Sequence, residues 1–71
     1  MKNPNDGRII RQAWFSGENG NRVIAKPGQV LKFKNEFHGD HDIDWVIAEE
    51  NGREIYRHNA RYLATIEWGD E

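Results

Sequence analysis

At 71 residues with no Cys, the chain makes one small domain that neither disulfides nor thiolate-bound metals can staple. A net charge of −2 argues against nucleic-acid binding through bulk charge. No apolar run approaches the ~18 residues of a membrane span.

The opening MKNPNDGR has no apolar core of a signal peptide, so a soluble, cytoplasmic protein without membrane association is expected. Absence of Cys also fits a reducing compartment. Charge is uneven along the chain. Residues 1–36 hold seven Lys/Arg against three Asp/Glu, and residues 37–71 hold three against nine.

Residues 1–7 read as a disordered lead, because Asn3, Pro4, Asn5, Asp6 and Gly7 are turn formers with nothing apolar to anchor them. Residues 8–16 (RIIRQAWFS) are β-branched and aromatic and predict a first strand. Strict alternation puts Ile9, Ala13 and Phe15 on one face and Ile10 and Trp14 on the other. Gly17, Glu18, Asn19, Gly20 and Asn21 form a loop, and residues 22–25 a short second strand. Lys26-Pro27-Gly28-Gln29 is a type II turn signal. Residues 29–37 are the cleanest strand, with Leu31, Phe33 and Phe37 on one face and Lys32, Lys34 and Glu36 on the other.

A polar connection at residues 38–42 leads to a strand over residues 42–50. Asn51-Gly52 turns it back into residues 53–58. A two-residue loop would pair Glu49 with Glu54. A three-residue loop with a Gly bulge pairs Glu49 with Arg53, Ile47 with Ile55, Val46 with Tyr56 and Asp44 with His58. Opposite charges are favoured across strands by ~0.2–1 kcal/mol, so the bulged loop is expected. That register buries Trp45, Ile47 and Ile55 together. Residues 59–63 (NARYL) predict one helical turn capped by Asn59. A last strand covers residues 64–68, and residues 69–71 form a frayed C-terminus.

Short strands with turns every 8–12 residues predict an all-β fold. The expected architecture is a small antiparallel β-barrel or rolled sheet of five or six strands, one domain over residues 8–68. The order hairpin, helical turn, last short strand resembles the end of SH3-like and Sm-like small barrels, over roughly the last third of the chain.

Reaction signatures are absent. Asp40, Asp42 and Asp44 share the D-x-D-x-D opening of a calcium loop, but Trp45 stands where Gly is needed and Asn51 where a bidentate Glu is needed. His38 and His41 add imidazoles to that loop, which makes a metal-dependent enzyme the third and last reading. No metal ligand set and no cofactor are assigned. An Asp44–His58 pair would be a start for general-base chemistry. PGQVLKF is similar to cupredoxin strands, yet a blue-copper site needs a Cys.

The first functional reading is a non-catalytic protein–protein interaction module. It would be an adaptor or inhibitor of the sort that phages and mobile elements encode, binding another protein or its own copies. Three Trp, three Phe and two Tyr are many for one core of this size, and aromatics left at a surface beside Arg anchor interfaces. Trp14, Val46, Tyr56, Arg57, His58 and Tyr62 are the expected contact residues. The second reading is a binder of single-stranded nucleic acid or a nucleotide through Arg8, Arg11, Arg22, Lys32 and Lys34 with exposed aromatics. Tyr56-Arg57-His58 is similar to the Tyr-Lys-His of the Hfq-type Sm motif, whose residues line an RNA pore; the rest of the Sm pattern is not found.

Overall fold

Turn chemistry and alternation divide the described residues into six strands: β1 (Ile9–Phe15), β2 (Arg22–Ile24), β3 (Gln29–His38), β4 (His41–Glu50), β5 (Arg53–Asn59) and β6 (Leu63–Trp68). A computed structural model describes residues 3–16 and 20–69. Part of the predicted β1–β2 loop (Gly17, Glu18, Asn19) and of the C-terminus (Asp70, Glu71) therefore lies outside the described residues. The helical turn is a 3₁₀ turn at Ala60–Tyr62, capped as expected: the Asn59 side chain accepts from the Arg61 N–H at 3.0 Å. Among the described residues, no helix is long and apolar enough to cross a membrane.

The strands form one antiparallel sheet in the order β2-β1-β3-β4-β5, with β6 added along β1. β1 is the shared element. Its first residues pair with β3 (Ile10↔Leu31), its later ones with β2 (Ala13↔Val23), and nearly its whole length with β6. The sheet curls into a half-barrel that is SH3-like in outline.

Ile10, Ala13, Val23, Leu31, Phe33, Val46 and Ala48 make the core. Strict alternation does not hold in β1. Its register against β6 shifts between Ile10 and Gln12. This irregularity takes up Arg11 and lets Ile10 and Ala13, three positions apart, both face inward.

The β4–β5 register departs from the expected one. Glu50 pairs with Arg53 and Glu49 with Glu54, across a two-residue Asn51-Gly52 turn. Both turn residues have positive φ, 55° and 80°, as a type I′ hairpin requires. The irregularity falls one step later, between Ala48 and Glu49, where Ile55 is the extra residue. Beyond it Ala48 faces Tyr56 and Val46 faces His58. The like-charged pair persists because each glutamate has its own cation. Lys32 Nζ lies 2.9 Å from Glu49, and Arg57 grips Glu54 through two bonds of 2.6 Å. The outcome is mixed: Ile47 is buried as expected, but Val46, expected on the outer face, points into the core, and Ile55, expected inside, is half exposed.

Two more expectations change. Residues 3–7 are not a loose lead in this structure. Asn35 donates its backbone N–H to Asp6 Oδ1 at 2.8 Å, Gly7 N–H reaches Phe33 O at 2.7 Å, and Asn3 Nδ2 reaches Asp44 Oδ2 at 3.3 Å. The connection at 38–42 contracts to a two-residue turn, because β3 and β4 pair all the way to His38↔His41. The end of this hairpin runs past the core as an arm, and Phe37, expected on the buried face, is 66% exposed on it.

Candidate functional site

β2 and β5 end the sheet order and do not pair with each other. The half-barrel therefore stays open between them. A cleft of about 430 Å³ occupies this seam, with Phe15, Val23, Tyr56 and His58 among its walls and Arg22 and Lys26 beside them.

Each wall residue arrives by a different route. β1 delivers Phe15, which pairs with Leu63 of β6. The shifted β4–β5 register turns Tyr56 and His58 to the inner face, opposite Ala48 and Val46. The His58 ring meets Phe15 edge-on at 5.0 Å and Tyr56 at 5.1 Å, with interplanar angles of 74° and 67°. Edge-to-face contacts of this kind hold aromatic rings in fixed orientations. Phe15 and Tyr56 also rest on the core, so the wall is backed by packed side chains. Arg22 and Lys26 are exposed. Among the described residues, neither makes an ion pair and none of those lining the cleft is a carboxylate. The cleft is thus apolar inside and cationic at its border.

Of the six contact residues expected from sequence, Tyr56 and His58 meet in this cleft. Val46 is completely buried and has no surface to offer a partner. Trp14 is half-buried in β1 beside Arg22 and Thr65 of the flanking strands. Tyr62 is exposed on the 3₁₀ turn, with the Arg61 guanidinium 5.5 Å from its ring. Arg57 belongs to the outer face. It bonds Glu54 twice and Glu36 once, at 3.0 Å, and lies 5.0 Å from the Trp45 ring centre. The Glu54 carboxylate, with Glu36 behind it, pushes the Arg57 guanidinium well above its ordinary value. Glu54 is held low by Arg57, and Glu36 by hydrogen bonds from His38 first and Arg57 second.

The basic strip is largely spent internally. Arg8 stacks on Trp68 at 4.1 Å and donates to Asn5. Arg11 pairs with Glu67 at 3.1 Å, Lys32 with Glu49 at 2.9 Å, and Lys34 with Glu36 at 3.6 Å. Only Arg22 of that set borders the cleft.

From the His/Asp loop, His41, Asp42 and Asp44 border one shallow cavity with Asn59 and Arg61, but their side chains do not close on a common point. His41 bonds Asp40 at 3.0 Å, and Asp44 accepts from Asn35 at 2.8 Å. Asp44 faces Asn35 and His58 faces Val46, so the expected Asp44–His58 pair does not form. Among the described residues, no three His, Asp or Glu side chains gather as a metal site.

Phe15 and Lys26 line this candidate cleft but stand outside the contact residues expected from sequence. Nothing local marks them: Phe15 reads as one more strand aromatic, and Lys26 as part of a turn. No protein-family model matches the chain, and no curated protein or solved structure matches it.

Proposed function

We propose that this domain is a small, non-catalytic protein–protein interaction module that takes an extended, acidic segment of its partner into the seam between β2 and β5. One observation carries the reading: two strands that end the sheet flank an aromatic cleft bordered by two cations that have no carboxylate partner among the described residues. Terminal strands offer main-chain hydrogen bonds to an added strand, while side-chain pockets supply selectivity. Phe15, Tyr56 and His58 would receive an apolar or aromatic side chain, and Arg22 and Lys26 would pair with carboxylates. A binder of this kind acts as an adaptor or inhibitor. The size and Cys-free composition fit the cytoplasmic regulators that phages and mobile elements encode.

The test uses fluorescein-labelled ten-residue peptides that alternate Asp with Phe or Val. Saturable binding is expected, and Arg22→Glu with Lys26→Glu should weaken it ~10-fold or more, as befits loss of close charge pairs. Backbone amide shifts in NMR spectra should centre on β2 and β5. The proposal fails if binding does not saturate, or if both charge reversals leave it unchanged.

The same pairing of rings and cations supports a second reading, a nucleotide or single-stranded nucleic acid stacked on Tyr56 or Phe15. Four of its five expected basic residues are already engaged internally, which makes it the lesser one. Salt-sensitive binding of a labelled oligothymidylate without peptide binding would move the assignment there.

A further inference from the structure

The arm formed by the end of the β3–β4 hairpin carries the chemistry that the cleft lacks. Phe37 is the most exposed large apolar side chain among the described residues. It lies directly across the hairpin from Asp42, and directly opposed residues share one face. The tip therefore presents an aromatic ring beside a carboxylate. Residues 35–44 hold four Asp/Glu and no Lys or Arg. Asp42 has no hydrogen bond or ion pair among the described residues. The cleft is the converse: rings inside, Arg22 and Lys26 at the border, and no carboxylate among the described residues of its lining.

We propose that the occupant of the cleft is the arm of a second copy of this chain, with Phe37 entering among Phe15, Tyr56 and His58 and Asp42 facing Arg22 and Lys26. This rests on the reading of the seam as a docking site and names its partner. A cleft of about 430 Å³ has room for one such ring, whose burial removes roughly 150–250 Å² from water. Phe37 does not fill the cleft of its own chain, since it is exposed and absent from that lining. Arm and cleft are different surfaces, so the contact is heterologous: it closes into a ring or runs on as a filament. One arm in one cleft is a small interface, and weak, concentration-dependent association follows from that size.

Sedimentation velocity and light scattering test this directly. The wild type should rise above its monomer mass of 8.3 kDa as concentration increases. Phe37→Ala should abolish the rise, and so should Arg22→Glu with Lys26→Glu. All three positions are exposed, so thermal melts of both variants should match the wild type. The decisive arm mixes the two variants. One keeps a competent cleft and the other a competent arm, so the mixture should form 1:1 dimers and stop there. A mixture that stays monomeric overturns the proposal, as does a Phe37→Ala variant that assembles like the wild type. A wild type that stays monomeric yet binds the acidic peptide removes the second copy and leaves the docking module. A wild type that does neither removes both.

Discussion

The direction in which Val46 points decides the register of the central hairpin, and a matched pair of substitutions tests it. Val46 is fully buried, whereas Ile55 is 50% exposed at the irregularity. Val46→Thr and Ile55→Thr end on the same β-branched residue, so strand propensity cancels. Val and Thr are close in shape, and the first substitution mainly places a hydroxyl in the core. An unpaired buried hydroxyl costs ~1–3 kcal/mol. About 2 kcal/mol lowers Tm by roughly 8–16 °C, since a domain of 60–100 residues loses ~4–8 °C per kcal/mol. Ile55→Thr forfeits two apolar carbons at half exposure, or about 0.8 kcal/mol. Total stability at ~0.05–0.15 kcal/mol per residue is roughly 4–11 kcal/mol for a chain this short, so both effects are readable. Urea and thermal melts followed by tryptophan fluorescence give the two values. The alternative register opposes Ile55 to Ile47 in the core and puts Val46 outside. If Ile55→Thr costs more than Val46→Thr, that register is right and the one described is wrong.

Other positions give separate checks. Gly52 sits at φ 80°, so Gly52→Ala should cost ~1–2 kcal/mol in a urea melt, and no loss would argue against the type I′ turn. Asn59→Ala removes the acceptor of the Arg61 N–H and should cost ~0.5–1 kcal/mol, with spectral changes confined to the 3₁₀ turn and its neighbours. The acid limb is read from Glu36 and Glu54, whose carboxyls lie below the ordinary 4.5. A lowered folded value contributes stability that is complete above about pH 4.5 and is lost as pH falls through the folded value. Arg57→Met keeps an apolar stem opposite Ile47 and removes the cation. Its Tm should therefore fall less than that of the wild type between about pH 6 and about pH 3; equal slopes would show that Arg57 does not set those carboxyls.

Strand positions were legible because the turn dipeptides Pro27-Gly28 and Asn51-Gly52 are local signals and β3 alternates cleanly. The helical turn was legible from Asn59 and its neighbours. The β4–β5 register was not. A slip of one residue exchanges the faces of a strand, and β4 is apolar on both, with Trp45 and Ile47 on one and Val46 and Ala48 on the other. Cross-strand charge then looked decisive, but Lys32 from β3 and Arg57 from farther along β5 neutralise the glutamates that seemed opposed. The anchoring of residues 3–7 was hidden for a similar reason. It depends on Asn35 and Asp44, some thirty to forty positions away. The cleft needs Phe15 and His58 together, which follows from two separate strand pairings and from no spacing in the chain.

On the proposed reading, the seam would also make the cleft selective. Terminal strands invite unwanted pairing, and proteins blunt them with short strands, charges and bulges. β2 spans three residues and begins at Arg22. β5 carries Arg53, Glu54 and Arg57 and is interrupted at Ile55. A long, flat, apolar strand would find little continuous backbone to follow here. A short segment could align with the intact stretch of β5 beyond Ile55, which is where Tyr56 and His58 project inward. Such a segment must also satisfy Arg22 and Lys26 across the gap. On that reading, the same features that discourage indiscriminate sheet growth would favour a brief, acidic, aromatic-bearing guest, and the proposed hairpin tip holding Phe37 and Asp42 has that form.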